Sequence, residues 1–598
     1  MEEESFTDPD TAAYMNQNFV CIKVDREERP DIDSIYMSAV QSISGQGGWP
    51  LTVFLTPDKL PFFGGTYFPP TAKNGLPGFP ELLKAIDDAF RNRRTEINTS
   101  SENIRNHINK DTTLTNPTAF SDRETATAYK KLLSQYDDKN GGFRDGIKFP
   151  QPMNLEFLLH YHSNHPSSQA LNIVEKTISA ILSGGIYDHI GGGIHRYATE
   201  PTWTIPHFEK MLYDNGLLLD IYAKAWTTYQ KPLYKAIVQE TATWALREMH
   251  AENGNFYSAY DADSEGEEGK FTVWKPDEIK EVLGEEVGTR FCKAYNITDT
   301  GNFEHGFSNP ALTESDFSIR ESLKDEREKL YAHRSKRMWP GLDKKQLTSW
   351  NSLLIRGLAE AGFALGRKDL FDAAKVAADF IWENLRTKDN RLSSVYYTEA
   401  KLNAYLDDYA YYAEALLSVT AYVDFFYPGE SKVYLERSEA ITQSVLKHFK
   451  DDQATGFYFT SGDHENLIAR KKEWWDNATP SGNGAMLHVL SSLYYITVNP
   501  TYEEELTALR NGYTGLIGKN PFGVPHALSA FMADQNGIEV IKVKDVDSLE
   551  ELRTLLLKQP WARRFTLITD LENQPSGYQK CIGTRCLQPE LDPGKLYQ

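Results

Sequence analysis

The connector between residues 184 and 210 holds more chemically useful side chains than any other stretch. Three of the chain's 14 histidines lie there, at His189, His195 and His207. Imidazole transfers protons readily near neutral pH, so these residues are predicted general acids or bases at a carbon of a sugar-like ligand. Two other interpretations stay open. The histidines satisfy loop backbone and pack a cavity mouth, or they bind a metal. Their spacing matches no compact metal motif, and we predict no metal and no cofactor.

Other polar and aromatic residues of the connectors are typical of sugar binding. Aromatic rings stack on the apolar face of a sugar, and carboxylates accept hydrogen bonds from its hydroxyls. Segments 257–265 (YSAYDADSE) and 347–351 (LTSWN) combine such residues, although a solvated acidic turn explains the first equally well. The predicted ligand-binding residues are Arg196, Trp203, Glu209, Tyr260, Asp261, Asp263, Trp350, Asn351, Asp407 and Asp408.

Asp407 and Asp408 open a predicted helix. Acidic residues in a first turn are explained by capping and by the helix dipole. Paired carboxylates at a cavity mouth would also serve glycoside hydrolysis, as acid and base. The sequence leaves both roles open.

Helical patterns fill residues 120–535, and every second connector between them is long. Predicted outer helices cover about 121–136, 168–183, 234–249, 369–386, 433–450 and 501–514. Predicted inner helices cover about 153–163, 209–228, 349–366, 406–426, 482–497 and 525–533, and are more continuously apolar. Six pairs with long connectors on alternate turns predict a closed (α/α)6 barrel whose long loops share one face. A helical solenoid is the alternative.

Two smaller α/β segments flank the predicted barrel. In residues 1–115 the pattern predicts strands at Phe19–Val24, Leu51–Leu55 and Phe62–Phe68, and helices at Pro30–Ile43 and Pro80–Ile97. A polar stretch at 98–118 is the predicted linker to the barrel. Residues 536–598 are predicted to form a small α/β tail packed on the barrel, because about 60 residues cannot bury much core alone.

Composition limits which cellular compartment and which classes of partner can be predicted. The net charge is −20 without a basic cluster, which argues against binding nucleic acid or an anionic membrane surface. No apolar run approaches a membrane span, and Met1 precedes three glutamates rather than a signal sequence. Four cysteines do not make a disulfide framework, and Cys21 and Cys292 are predicted to be buried. We predict a cytoplasmic location.

Several motifs resemble one family. Residues 24–33 (VDREERPDID), 47–50 (GGWP) and 63–70 (FGGTYFPP) resemble the thioredoxin-like domain of the spermatogenesis-associated protein 20 family. Later segments at 148–150, 191–195, 206–213 and 347–351 resemble the same family, as does the ending with Cys581 and Cys586. The resemblance implies a thioredoxin-like domain before a six-hairpin glycosidase-like barrel similar to N-acylglucosamine 2-epimerases. It also implies a cis bond before Pro50.

The chain departs from this family at one point. Relatives carry a strand and a C-x-W-C-H motif just before the stretch that matches Met1–Phe6. Without that pair of thiols, the domain is predicted to be redox-incompetent, because Cys21, alone and in a predicted strand, is a poor substitute for them.

The predicted fold is therefore multidomain and mainly α, with an incomplete thioredoxin-like domain (1–115), an (α/α)6 barrel (120–535) and an α/β tail (536–598). The predicted function is that of a carbohydrate-active protein whose partner is a small sugar-like ligand. Histidine-rich chemistry favours epimerisation or isomerisation over hydrolysis. A thiol-redox or protein-folding factor, with the barrel as a binding scaffold, is the alternative. A non-catalytic sugar-binding protein is the third interpretation.

Overall fold

The computed structural model describes residues 1–73, 75–110, 120–166, 168–313, 317–559, 561–569 and 574–598. It divides into two compact units. The first comprises Met1–Thr115 with His448–Glu473, and the second Asn116–Lys447 with Trp474–Gln598.

The first unit is α/β. After a π-helical turn at Glu2–Phe6 its elements are α1 (Pro9–Asn18), α2 (Pro30–Ser44), β1 (Thr52–Leu55), β2 (Pro61–Gly65), α3 (Phe79–Asn92) and α4 (Arg94–Lys110). β1 and β2 form an antiparallel hairpin in which Val53 lies opposite Gly64. The Trp49–Pro50 bond is cis, as the resemblance implied. A phenylalanine cluster that includes Phe54 and Phe79 forms one part of the core.

Three predictions for this unit were wrong, and two of them concern residues 19–24. Residues 19–24 form no strand, and Val20 and Ile22 are 92% and 77% exposed. A strand needs a hydrogen-bonded neighbour, and among the described residues β1 pairs only with β2. Cys21 is accordingly exposed rather than buried.

The predicted polar linker is instead largely helix α4. Its buried face consists of Ile97, Ser101, Ile104 and Ile108, which recur at helical spacing. Three isoleucines among seventeen residues are too few to stand out as a periodic pattern, and that explains the error. The remainder of the predicted linker, at 111–118, lies outside the described residues.

The second unit contains a double ring of helices. The outer ring is α5 (Asp122–Leu133), α7 (Ala170–Ser183), α9 (Pro232–Trp244), α15 (Lys368–Phe380), α17 (Ser431–His448) and α19 (Pro500–Lys519). The inner ring is α6 (Pro152–Asn164), α8 (Leu212–Tyr229), α14 (Thr348–Leu365), α16 (Leu406–Tyr422), α18 (Gly482–Thr497) and α20 (Pro525–Asn536). Each inner helix packs on the next, and α20 packs back on α6. The ring is therefore closed, as predicted.

The inner helices run in the same direction, so their N-termini share one end. Close contacts at glycines fix the relative positions of neighbouring helices. A Cβ on Gly216 of α8 would lie 2.8 Å from Leu354 Cα of α14, and one on Gly357 would lie 2.5 Å from the Gly216 carbonyl oxygen. One aspartate joins N-termini in a similar way. Asp408 accepts hydrogen bonds from Ser349 N and Tyr405 N, both 2.9 Å. The barrel mouth is defined here as this N-terminal end of the inner ring.

The connectors around the mouth carry short elements. The connector between α7 and α8 contains β3 (Tyr197–Ala198), β4 (Pro206–His207) and β5 (Lys210–Met211). The connector between α9 and α14 contains β6 (Ala259–Tyr260), β7 (Asp263–Ser264), β8 (Glu267–Glu268), α10 (Pro276–Leu283), α11 (Glu285–Ala294), α12 (Ser318–Ser322), α13 (Lys324–Arg334), β9 (Leu342–Asp343) and β10 (Gln346–Leu347). β11 (Ser393–Tyr396) and β12 (Ala400–Asn403) precede α16.

The tail closes the opposite end of the barrel. Its elements are β13 (Glu539–Lys544), α21 (Glu550–Leu556), β14 (Arg564–Ile568), β15 (Gly577–Ile582) and β16 (Arg585–Cys586), in the sheet order β14-β13-β15-β16. Ile541 and Leu552 of the tail share one apolar cluster with Phe363 near the C-terminus of α14. Cys581 and Cys586 form a disulfide across the β15–β16 hairpin, a pairing that the sequence did not predict. In the ranges covered, no helix is both long enough and apolar enough to cross a membrane.

Candidate functional site

Two of the three predicted histidines are buried beneath the mouth. His189 and His195 are each 1% exposed. His189 Nε2 lies 3.1 Å from Gly184 O, and His195 Nδ1 lies 2.9 Å from Phe208 O. Burial, with a further contribution from nearby Arg320 or Lys210, lowers the pKa of each ring to about 3. Both imidazoles are therefore neutral at pH 7 and hold connector backbone in place.

The same connector is anchored by a buried ion cluster. Asp188 accepts hydrogen bonds from Lys210 Nζ at 2.7 Å and from two guanidinium nitrogens of Arg334 at 2.8 and 2.9 Å. Trp203 is also buried, and its Nε1 donates to Asn140 O at 3.1 Å. The indole therefore packs the connector, and its ring is not open to a ligand in this conformation.

The third histidine belongs to a half-exposed ion cluster at the mouth. His207 Nε2 lies 3.2 Å from Glu209 Oε2, and its Nδ1 lies 2.7 Å from Glu268 Oε1. Burial alone would lower the pKa of His207, but the hydrogen bonds to the two carboxylates outweigh it and raise the pKa to about 9. Arg196 Nη1 donates to Glu209 Oε2 at 2.8 Å. We call Arg196, His207, Glu209 and Glu268 the mouth ion cluster.

An aromatic pair adjoins this cluster. The rings of Tyr213 and Trp350 meet edge to face with centroids 4.7 Å apart. Tyr213 lies in the first turn of α8, close enough to Arg196 for their charges to interact. Trp350 lies in the first turn of α14 and is partly exposed. The mouth therefore places an accessible aromatic ring close to fixed charges.

Asn351 holds in place the start of α14, the helix that carries Trp350. Its Oδ1 accepts a hydrogen bond from Phe256 N at 2.8 Å, and its Nδ2 donates to Phe256 O and Leu347 O at 3.0 Å each. Asn215 makes the same three bonds at the start of α8, to both backbone groups of Ile194 and to Met211 O. This repeated arrangement ties the start of each helix to the connector before it.

The two adjacent aspartates of α16 have different environments. Asp408 is buried and caps α14 and α16 as described, and burial raises its pKa to about 6. Asp407 is half-buried at the mouth, beside Gly482 at the start of α18, where a Cβ would lie 2.5 Å from Asp407 Oδ1. Asp408 therefore fits the capping interpretation, and Asp407 faces the neighbouring inner helix.

The remaining predicted ligand-binding residues lie on the small sheets of the connector between α9 and α14. Tyr260 pairs across β5 and β6 with Lys210 and is half-buried. Asp261 and Asp263 are exposed, the latter in the β7–β8 hairpin. Asp263 lies opposite Glu268, a member of the mouth ion cluster, in that hairpin.

One mouth residue that the sequence did not single out is Asp214, in the first turn of α8. It is 5% exposed, and its Oδ2 has no hydrogen-bond partner among the described residues. Burial raises the pKa of this carboxyl well above its usual range; Arg196 opposes the rise and Glu209 adds to it. An acidic residue in a first turn resembles an ordinary cap, so its environment was not evident from the sequence.

The inner helices also bring charges together on the barrel axis. Lys224 Nζ lies 2.7 Å from both Glu156 and Asp220. Arg356 bonds Asp220 at 2.7 Å and Glu414 at 3.2 Å, and also bonds Glu156. The full set, which we call the axis network, is Glu156, Asp220, Lys224, Arg356, Glu414, His488, His526 and, from the tail, Arg563. The sequence signal was a pair of charges four residues apart, Asp220 and Lys224, inside an apolar helix.

Three members of the axis network have the composition of a metal site. Ligand atoms of Glu156, His488 and His526 lie within 4.8 Å of one another. Both His488 nitrogens are already engaged, with Nε2 3.0 Å from His526 O and Nδ1 3.1 Å from Arg563 Nη1. Lys224 and Arg356 also neutralise the neighbouring carboxylates. The donor set therefore fits an internally compensated ion network better than a metal centre.

Comparisons with known proteins agree on a family. A family model described as a protein of unknown function (Thioredox_DsbH, DUF255) matches residues 1–109. Spermatogenesis-associated protein 20 of Homo sapiens is 29% identical, over 100% of this chain and 85% of that protein. The protein of the same name from Mus musculus is 30% identical, over 93% of this chain and 76% of that protein.

Among solved structures, a sugar epimerase from a ruminal bacterium is similar in 65% of this chain and 85% of that one, at 12% identity and a TM-score of 0.46. The barrel described above rests on the chain's own helix contacts, independently of this likeness.

Proposed function

The chain belongs to the spermatogenesis-associated protein 20 family, and from that premise we propose that its barrel mouth binds a sugar or sugar-like metabolite, with epimerisation or isomerisation as its chemistry. The observation that carries the proposal is the partly exposed Trp350 ring, braced by Tyr213 and adjacent to the mouth ion cluster. A stacking surface beside fixed hydrogen-bonding groups matches what a polyhydroxyl ligand offers, an apolar face edged by hydroxyls.

The charges at the mouth suit a neutral ligand. The mouth ion cluster holds two cations, Arg196 and His207, against two carboxylates, Glu209 and Glu268, so the formal charges balance. A neutral polyol can accept from the guanidinium and donate to the carboxylates without disturbing that balance. Among the predicted histidines, His207 is the proton-transfer candidate that the geometry favours, because His189 and His195 are buried and neutral.

Replacing Trp350 tests the binding proposal. We expect monosaccharides, disaccharides or sugar phosphates from a panel to raise the melting temperature of the wild type, because a ligand bound only by the folded state stabilises it. In Trp350→Ala the affinity should fall about tenfold or more, since a stacked ring contributes on the order of 1 kcal/mol beyond its area.

The matched control is Trp382→Ala, which removes a partly exposed tryptophan that stacks on Arg386 and Arg437 in the turn Ile381–Leu385 after α15. Ligand binding should survive that change. A panel without any stabilising ligand, or equal binding in both variants, would contradict the proposal.

The alternative thiol-redox function makes a separate prediction. Cys21 is the sole cysteine of residues 1–115 in the sequence and has an exposed thiol. Because dithiol exchange needs a second thiol to resolve the mixed disulfide, we expect no catalysed insulin reduction. Cys21→Ser should match the wild type in that assay. Turnover that disappears in Cys21→Ser would favour the redox function instead.

A further inference from the structure

We propose that Asp214 and Arg196 form a two-donor site for the carbonyl oxygen of a reducing sugar at the floor of the barrel mouth. This inference rests on the proposed function and specifies which part of the ligand is held there. Both residues carry a buried polar atom that has no hydrogen-bond partner among the described residues, Oδ2 of Asp214 and Nε of Arg196.

Such atoms are costly in a folded protein. A buried donor or acceptor without a partner costs about 1–3 kcal/mol. Asn215, the next residue along α8, makes three hydrogen bonds in the same surroundings, so the local backbone can satisfy a polar side chain. Two unsatisfied polar atoms that lie near the same carboxylate, Glu209, therefore point to a ligand atom as their partner.

The protonation state of Asp214 decides whether the ligand atom held there donates or accepts a hydrogen bond. Its carboxyl faces Arg196 and Glu209, and Glu209 in turn bonds His207, which bonds Glu268. Burial keeps the pKa of Asp214 well above its usual range, which favours the protonated carboxyl, and a protonated carboxyl can donate. Arg196 commits Nη1 to Glu209 and retains Nε–H as a donor. The shared ligand atom is therefore an acceptor.

Four kinds of sugar oxygen can accept, and the surroundings and the proposed chemistry distinguish them. A ring ether oxygen accepts without carrying a hydrogen, but it gains no charge when a neighbouring C–H proton is removed. A carboxylate would place a second negative charge next to Glu209. A hydroxyl would bring a hydrogen that needs an acceptor of its own. A carbonyl oxygen has two lone pairs for two donors and carries no hydrogen. Two donors fixed at a carbonyl oxygen also stabilise the negative charge that develops there when a neighbouring C–H proton is removed.

The position of Asp214 allows contact with a ligand in the mouth. It follows Tyr213 directly in the first turn of α8, and the ring of Tyr213 packs on the partly exposed Trp350. The carboxyl is 5% exposed, and rotation about the broad terminal torsion of an aspartate exchanges its two oxygens. A sugar stacked on Trp350 would therefore lie above the proposed donors.

Two substitutions of Asp214 test the assignment. Asp214→Asn keeps a neutral donor of the same size, and Asp214→Val removes the donor. The probes are D-mannose and cellobiose, each compared with its alditol, D-mannitol and cellobiitol, in calorimetric titrations from pH 6 to 10.

The wild type should prefer the reducing sugars over the alditols. Its affinity for them should fall at alkaline pH, because an ionised Asp214 no longer donates. Asp214→Asn should bind without that pH dependence. Asp214→Val should lose about tenfold in affinity, the scale of one hydrogen bond, while melting at or above the wild-type temperature.

The outcomes separate this inference from the proposed function. If Asp214→Val binds the reducing sugars with wild-type affinity and preference, the two-donor site is wrong, although the loss of binding in Trp350→Ala would still support a sugar site. If no probe binds the wild type, the two-donor site is overturned, while the thermal-shift panel of sugars and sugar phosphates decides the proposed function separately. A destabilised Asp214→Val would assign the carboxyl a structural role and overturn the inference as well.

Discussion

Arg356→Met should lower the free energy of unfolding by about 3–5 kcal/mol, the usual cost of removing one partner from a buried ion pair. Arg356 is buried on the barrel axis and bonds Asp220, Glu414 and Glu156. Methionine fills similar space but leaves three carboxylates with less compensating charge. Urea unfolding followed by circular dichroism measures the change.

The control for this variant is Arg367→Met. Arg367 forms an exposed ion pair with Asp369 at the surface, and such pairs contribute about 0–1 kcal/mol. The control should therefore unfold close to the wild type. Equal stability of Arg356→Met and Arg367→Met would mean that the axis network does not hold the ring together.

The second large effect is a loss of stability at alkaline pH that depends on His526. Burial lowers the pKa of His526, but Glu414 and Glu156 outweigh it and raise the pKa to about 9. The unfolded value is about 6.5, so the folded state binds the proton more tightly. This contribution is complete below about pH 6.5 and disappears as the pH rises through about 9. It corresponds to about 3 kcal/mol.

Melting temperatures between pH 6 and 9.5 test this linkage. The wild type should lose stability across that window, and His526→Gln should be less stable at pH 6 with a flatter profile. His207 has a raised pKa of the same sign but is half-exposed, so His207→Gln should flatten the profile less. Parallel profiles for the wild type and His526→Gln would exclude the imidazolium of His526 as the source.

The helical rings were predictable because their periodicity is strong. The inner helix predicted at 482–497 has those same bounds in the structure, and the other inner helices differ by a few residues at their ends. Strong apolar periodicity in a long segment identifies a helix without any tertiary information. Residues 19–24 show the opposite case, since an apolar run becomes a strand only where a neighbouring strand pairs with it.

The mouth was less predictable, because sequence does not show which way a loop side chain faces. His195 and His207 lie in the same connector, yet one is buried against Phe208 O and the other bonds two surface carboxylates. Asp214 was not singled out from the sequence for the same reason. Its environment depends on Arg196 and Glu209, which the fold brings to it from the preceding connector.

The tail of the chain has a consequence for how the barrel can be isolated. Arg563 reaches the axis network through His488, and the Trp561 ring lies 4.5 Å from Lys224 Nζ and 4.7 Å from the His160 ring. Residues 561–563 thus supply part of the barrel's interior, although they follow the last inner helix. A fragment ending near residue 535 would expose to solvent charged groups of the axis network that are buried in the intact chain. We therefore expect barrel and tail to unfold in one cooperative transition, with the proposed ligand binding at the opposite end, the mouth.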